Sequence, residues 1–131
     1  MSGALYQENL IEHFKYPQNK KNISQPDFSV TDHNPSCGDR ISMQGLIKDS
    51  VLVDVGFDGS GCVISQAAAS MLTELCQGKT IPAILALTSS DMATLVAIPL
   101  GPTRLKCAVL SLQALQQGLR EFEARSSAVK E

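Results

Sequence analysis

Two alternating runs separated by a dipeptide leave residues 40–57 little conformational choice. Val51, Val53, Val55 and Phe57 fall on one face of a strand without exception, and Ile41, Met43 and Ile47 share a face in the run before it. Asp49-Ser50 between them reads as a tight turn. With two central residues in that turn, the runs form an antiparallel hairpin whose register sets Cys62 opposite Cys37. A longer turn shifts the register but leaves the two cysteines at the same end. Phe28-Ser29-Val30-Thr31-Asp32 reads as a first short strand leading toward Cys37.

Around the hairpin the period becomes helical. Residues 4–15 form an amphipathic helix on Tyr6, Leu10 and Phe14, with Ile11 beside them. His13, one place off that stripe, belongs at the surface, and Lys15, Lys20 and Lys21 read as a solvated linker. After Cys62, the positions Ile64, Ala67, Ala68, Met71, Leu72 and Leu75 match a helix at every place, and Gly78 stops it. Thr80-Ile81-Pro82 opens another helix, to about Leu87. Thr88–Asp91 is a break with capping residues, and Met92–Ile98 is apolar with no decided state. A last helix starts near Thr103, burying Leu105, Ala108, Val109, Leu112, Leu115, Leu119 and Phe122. Past Arg125 the chain is expected to fray.

Composition narrows the functional class. At 131 residues and 44% hydrophobic content, the expectation is a single domain over 1–131 whose core needs no disulfide staples. A net charge of −2 argues against nucleic acid or an anionic membrane surface as partner. No apolar run reaches the ~18 residues of a membrane span, and the opening MSGALYQENLIEHFK has no secretory hydrophobic region. The four cysteines are therefore expected to act as thiols or ligands in the cytoplasm.

Asn34-Pro35-Ser36-Cys37-Gly38-Asp39 holds the chemistry-bearing turn. Pro35 keeps Asn34 out of the helical region, and Gly38 permits a sharp fold that aims Cys37 and Asp39 at one centre. Taken alone, this is also what an ordinary turn with a free cysteine looks like. The other cysteines change the weighing. Cys62 follows Asp58-Gly59-Ser60-Gly61 at a helix start, where the macrodipole favours a thiolate, and Cys107 falls near the start of the last helix. Cys76 lies at the far end of the helix that Cys62 begins, about 21 Å away at ~1.5 Å per residue, and reads as a packing cysteine. Cys37, Asp39, Cys62 and Cys107 remain as a set. Three thiols and a carboxylate fit tetrahedral zinc, or an iron–sulfur cluster with one oxygen ligand.

These motifs resemble the NifU/IscU/SufU family of iron–sulfur cluster assembly proteins over nearly the whole chain, from Leu5 to about Arg120. The resemblance rests on Asn34–Asp39, on Gly61-Cys62-Val63-Ile64-Ser65 with Ala69-Ser70-Met71, and on Arg104-Leu105-Lys106-Cys107-Ala108. Tyr6, His13-Phe14 and Pro17-Gln18-Asn19-Lys20 look like the family's opening helix and loop. The resemblance implies an α+β fold, a three-stranded antiparallel sheet with helices on one face and the three cysteines and aspartate at one end.

It also implies the function. The first expectation is a scaffold that accepts sulfur from a cysteine desulfurase, binds iron or a transient cluster ([2Fe-2S] in type), and passes it to a downstream carrier or apo-protein. The alternative is a zinc-dependent sulfurtransferase relaying persulfide sulfur, and the third is a zinc-stabilised structural module. In all of them Cys37, Asp39, Cys62 and Cys107 are the expected ligands, with Cys37 and Cys107 the expected sulfur acceptors and Cys37 preferred. The subgroup is mixed. Lys106 stands where scaffold members of the IscU type carry histidine, as in SufU, yet the chain lacks the SufU insertion between the second and third cysteines. Leu100-Gly101-Pro102-Thr103-Arg104 is a poor copy of the IscU-type chaperone-docking motif. A monomer or weak dimer is expected.

Overall fold

A computed structural model describes the backbone of residues 2–36 and 38–130, and the side chains of 7–36 and 38–126. Its elements run α1 (Ser2–Lys15), β1 (Phe28–Asn34), β2 (Asp39–Lys48), β3 (Val51–Ser60), α2 (Val63–Cys76), α3 (Ile81–Leu85), α4 (Ser89–Val96) and α5 (Pro102–Lys130). The strands form one antiparallel sheet in the order β1-β2-β3. The α+β class is as expected: α5 lies on β1 and β2, α2 on β3 and α5, and α1 on the outer flank of α2. Phe28, Val30, Ile41, Met43, Val55 and Phe57 from the sheet meet Ala67, Ala68, Leu72, Ala108, Leu112, Leu115 and Leu119 in one core.

The Asp49-Ser50 turn forms as expected, both residues left-handed at φ 54° and 62°, which matches the twist of the flanking strands. Lys48 pairs with Val51 and Ile47 with Leu52, but Leu46 then pairs with Asp54, so Val53 is an extra residue in β3. This overturns the uninterrupted face expected for Val51–Phe57. Leu52 is fully buried and Val53 is 44% exposed, while Val55 and Phe57 return to the core. Contacts from elsewhere hold the bulge. The Leu52 N–H donates to the Lys79 carbonyl (2.9 Å) and the Gly78 N–H to the Leu52 carbonyl (2.7 Å), tying this strand to the chain leaving α2.

The face of α1 also differs from the expected one. Leu10 is buried, but Phe14 and Ile11 are exposed, and the Tyr6 side chain lies outside the described residues. His13 turns inward instead of to the surface, its Nδ1 2.7 Å from Ser70 Oγ, which also accepts the Gln18 N–H at 2.7 Å. The reason is the flank of α2 that α1 covers. Ser70 and Thr73 are buried hydroxyls, and buried polar groups need partners, so polar groups of the first 19 residues face them. With α1 on one side and the sheet and α5 on the other, α2 is buried nearly all round, though Leu75 at its end stays partly exposed.

The loop after α1 covers the outer edge of β3: the Phe57 N–H donates to the Asn19 carbonyl (2.9 Å) and the Lys21 N–H to the Phe57 carbonyl (3.1 Å). Lys21 is not simply solvated, since its Nζ sits 2.9 Å from Asp54. The undecided run before Ile98 is helical, started by a reciprocal Thr88/Asp91 capping box and ended by Ala97 in the left-handed region. The helix from Thr80 is shorter than expected, closing at Leu85. In α5, Leu105, Val109 and Phe122 are half-buried and not fully so, and the backbone stays helical beyond Arg125, to Lys130. Among the described residues no helix is long and apolar enough to cross a membrane.

Candidate metal and sulfur site

Asp39, Cys62 and Cys107 reach one point from three elements. Their ligand atoms all lie within 4.8 Å of one another. Asp39 opens β2 and is completely buried; it is a strand residue, where the sequence placed it on a free turn. Cys62 is the N-cap of α2, with extended backbone (φ −73°, ψ 163°), and its Sγ accepts the Ser65 N–H at 3.5 Å. Cys107 projects from the second turn of α5 and is only 4% exposed, whereas Cys62 is exposed.

Asp39 and Cys62 are joined directly. The Cys62 backbone N–H donates to Asp39 Oδ1 at 2.8 Å, and the Cys62 thiol faces Oδ2 at 3.5 Å. This approach depends on Gly61. Its φ is +133°, and a Cβ built there would stand 2.1 Å from Asp39 Oδ1, so only glycine fits. The register explains the pairing: Arg40 lies opposite Ser60, which brings Gly61 up to Asp39. The bulge at Val53 moves the ladder one place from the register that set Cys62 against Cys37.

Cys37, the fourth expected ligand, lies outside the described residues. The chain on either side of it is held: the Gly38 N–H donates to the Asn34 carbonyl at 2.9 Å, the Ser36 N–H donates to Asn34 Oδ1 at 3.1 Å, and Gly38 takes φ +75°. Cys76 is absent from the group. It is the last residue of α2, fully buried, with its thiol pushed up to about 12 by desolvation, partly offset by the charge of Lys79.

Two thiols and a carboxylate so placed suit a borderline or soft transition ion better than magnesium or calcium. The donor set and the glycine-shaped cradle around Asp39 therefore fit zinc or iron. Beside the thiols an open groove of about 620 Å³ is lined by Leu10, Ile11, Cys62, Val63, Ile98 and Cys107. Exposed Ile11 and Val63 line the same groove as Cys62, so its thiol faces a mostly apolar approach, with Gln7, Thr103 and Arg104 as its polar members. Sequence reasoning missed three features here. The carboxylate of Asp39 caps the Cys62 amide, Gly61 is required by contact with Asp39, and Asn34 is buried opposite Asp39. The closely spaced Gly59 and Gly61 were the available signal for the second.

Known proteins resemble this chain in sequence and in fold. The NifU-like N terminal domain model matches residues 5–129. The zinc-dependent sulfurtransferase SufU of Bacillus subtilis is 32% identical, over 92% of this chain and 92% of its own. The iron-sulfur cluster assembly scaffold protein IscU 1 of Archaeoglobus fulgidus is 30% identical, over 90% of this chain and 76% of its own. A crystal structure of a putative iron-sulfur cluster assembly scaffold protein for the SUF system, from Fervidobacterium islandicum, superposes with a TM-score of 0.77 at 25% identity, covering 91% of this chain and 99% of that one. With the match spanning almost its whole length, the chain belongs to the NifU-like N-terminal domain family.

Proposed function

We propose that this protein is a scaffold for iron–sulfur cluster assembly, accepting sulfur from a cysteine desulfurase and holding iron or a transient [2Fe-2S] cluster for delivery to a carrier or apo-protein. The observation that carries the reading is the meeting of Asp39, Cys62 and Cys107 within 4.8 Å at one end of the fold. Cys37 completes the set in this reading. A cargo that must leave needs one weak ligand, and a carboxylate is a weaker partner for cluster iron than a thiolate. The apolar groove beside Cys62 gives a partner protein a way to the thiols without crossing the core. A thiol-reducing compartment, the cytoplasm in this reading, keeps them available.

A second reading, zinc-dependent sulfur transfer, is favoured by the similarity to the Bacillus subtilis protein of that name. In it Asp39, Cys62 and Cys107 hold zinc with Cys37, and the ion lowers the pKa of the thiols it touches. In both readings Cys37 is the acceptor we favour. Cys107 is buried and anchored in α5, whereas the residues on either side of Cys37 in the sequence, Ser36 and Gly38, are exposed.

The test is to incubate the protein with a cysteine desulfurase and cysteine and to locate added sulfur by mass spectrometry. Sulfur is expected on the unaltered protein and on Cys107→Ser, and to be lost from Cys37→Ser. The opposite pattern makes Cys107 the acceptor, and no sulfur on any form refutes the proposed function. Zinc retained through purification favours transfer, while a reconstituted cluster that moves to an apo-protein favours the scaffold.

A further inference from the structure

Among the described residues, Asn34 Nδ2, Gln66 Oε1 and Ser111 Oγ are buried side-chain atoms with no hydrogen-bond partner. Of these residues, Asn34 is the one that stands directly across the β1–β2 ladder from Asp39. Directly paired residues share a face of the sheet, with Cβ atoms about 5 Å apart, so the Asn34 and Asp39 side chains leave the sheet on the same side. Asn34 is only 7% exposed.

The orientation of its amide is not arbitrary. The Ser36 N–H donates to Oδ1 at 3.1 Å, which fixes the oxygen toward the loop and leaves Nδ2 as the inward group. That donor has two protons and, among the described residues, no acceptor. The Asp39 oxygens are turned to Cys62, Oδ1 toward its N–H at 2.8 Å and Oδ2 toward its thiol at 3.5 Å, and neither accepts from Nδ2. An unmade buried donor is costly to keep, so its retention points to an acceptor that arrives with the cargo.

We propose that Asn34 is a positioning residue whose Nδ2–H donates to the sulfur-centred anion held at the site, either the terminal sulfur of a persulfide or the sulfide of a forming cluster. The inference rests on the function proposed above. The same residue accepts the Gly38 N–H at 2.9 Å through its backbone carbonyl, which ties Asn34 to the backbone that leads into β2.

Two variants isolate the donor. Asn34→Asp keeps the acceptor for Ser36 and replaces the donor with a carboxylate; Asn34→Ser removes it without adding charge. After sulfur loading by a desulfurase and cysteine, persulfide lifetime is expected to shorten about tenfold or more in both, the loss of one hydrogen bond to a charged group. After reconstitution with iron and sulfide, the cluster's absorption and reduction potential are expected to shift. A change in one arm alone assigns the donor to that anion. Zinc affinity is the control: it should hold in Asn34→Ser, and hold or rise in Asn34→Asp, which adds a negative charge. Variants matching the unaltered protein in both sulfur arms overturn the inference, as does a parallel loss of zinc, which marks a purely structural role. If the unaltered protein takes up neither sulfur nor cluster, the proposed function fails and the inference with it.

Discussion

Cys62 and Cys76 begin and end the same helix, yet one is an exposed N-cap and the other is sealed in the core. At the first end, three elements converge with a carboxylate, a required glycine and an open groove. At the other, Cys76 is completely buried, and desolvation holds its thiol protonated to about 12. The cause is packing. The Cys62 end meets the open end of the β2–β3 ladder, where backbone groups need side-chain partners, while the Cys76 end is closed by the chain that bonds to Leu52. A cysteine's chemistry here follows its surroundings and not its residue type.

Gly61→Ala should collapse that contrast most strongly. Its Cβ would meet Asp39 Oδ1 at 2.1 Å with φ at +133°, so the site must open. A stability loss of about 2–4 kcal/mol in urea unfolding is expected, with zinc binding lost. Wild-type zinc affinity in Gly61→Ala would show that the close approach is dispensable.

Asp39→Ala should come next. It removes a proposed ligand and also unpairs the Cys62 N–H, costing about 1–3 kcal/mol. Zinc should bind at least about tenfold more weakly, and a reconstituted cluster should decay more slowly for want of its weakest ligand. Unchanged metal affinity and cluster lifetime, read by chelator competition and absorbance, would leave Asp39 as a capping residue alone.

Cys76→Ser sharpens the comparison from the other side. A hydroxyl in the fully buried Cys76 position should cost about 1–2 kcal/mol, while zinc affinity and sulfur uptake stay at wild-type values. Loss of sulfur uptake in a folded Cys76→Ser protein would break the division between the two ends.

The smallest effect is a pH dependence. The Cys76 pKa is raised from 9.0 to about 12 in the folded chain, so above pH 9.0 the unfolded chain releases a proton that the native one keeps. The group's contribution to stability is whole below that pH and declines as pH rises toward 12. By pH 10 the loss should be about 1 kcal/mol. Cys76→Ala should lack this component of the urea-unfolding pH profile; an identical slope would assign it to other groups.

Much was legible in the residues because it is local. The Asp49-Ser50 turn, the stop at Gly78 and the cap at Cys62 each depend on neighbours within a few positions, and each formed where expected. The exclusion of Cys76 was equally readable, since a helix fixes the distance between its ends. The motifs also identified the family, which spacing by itself did not.

What failed to show depends on partners far along the chain. Val53 turns outward because the backbone leaving α2 binds Leu52, a contact no period-two count contains. His13 turns inward because Ser70 waits on another helix, and a helical stripe does not record which flank is already polar. Asp39 read as a ligand on a turn, but its first partner is the Cys62 amide. The sequence alone determined which side chains are able to bind sulfur or metal, through their chemistry and their local turns. The tertiary structure alone decided which of them meet, because one extra residue in β3 sets the register that brings Gly61 and Cys62 to Asp39.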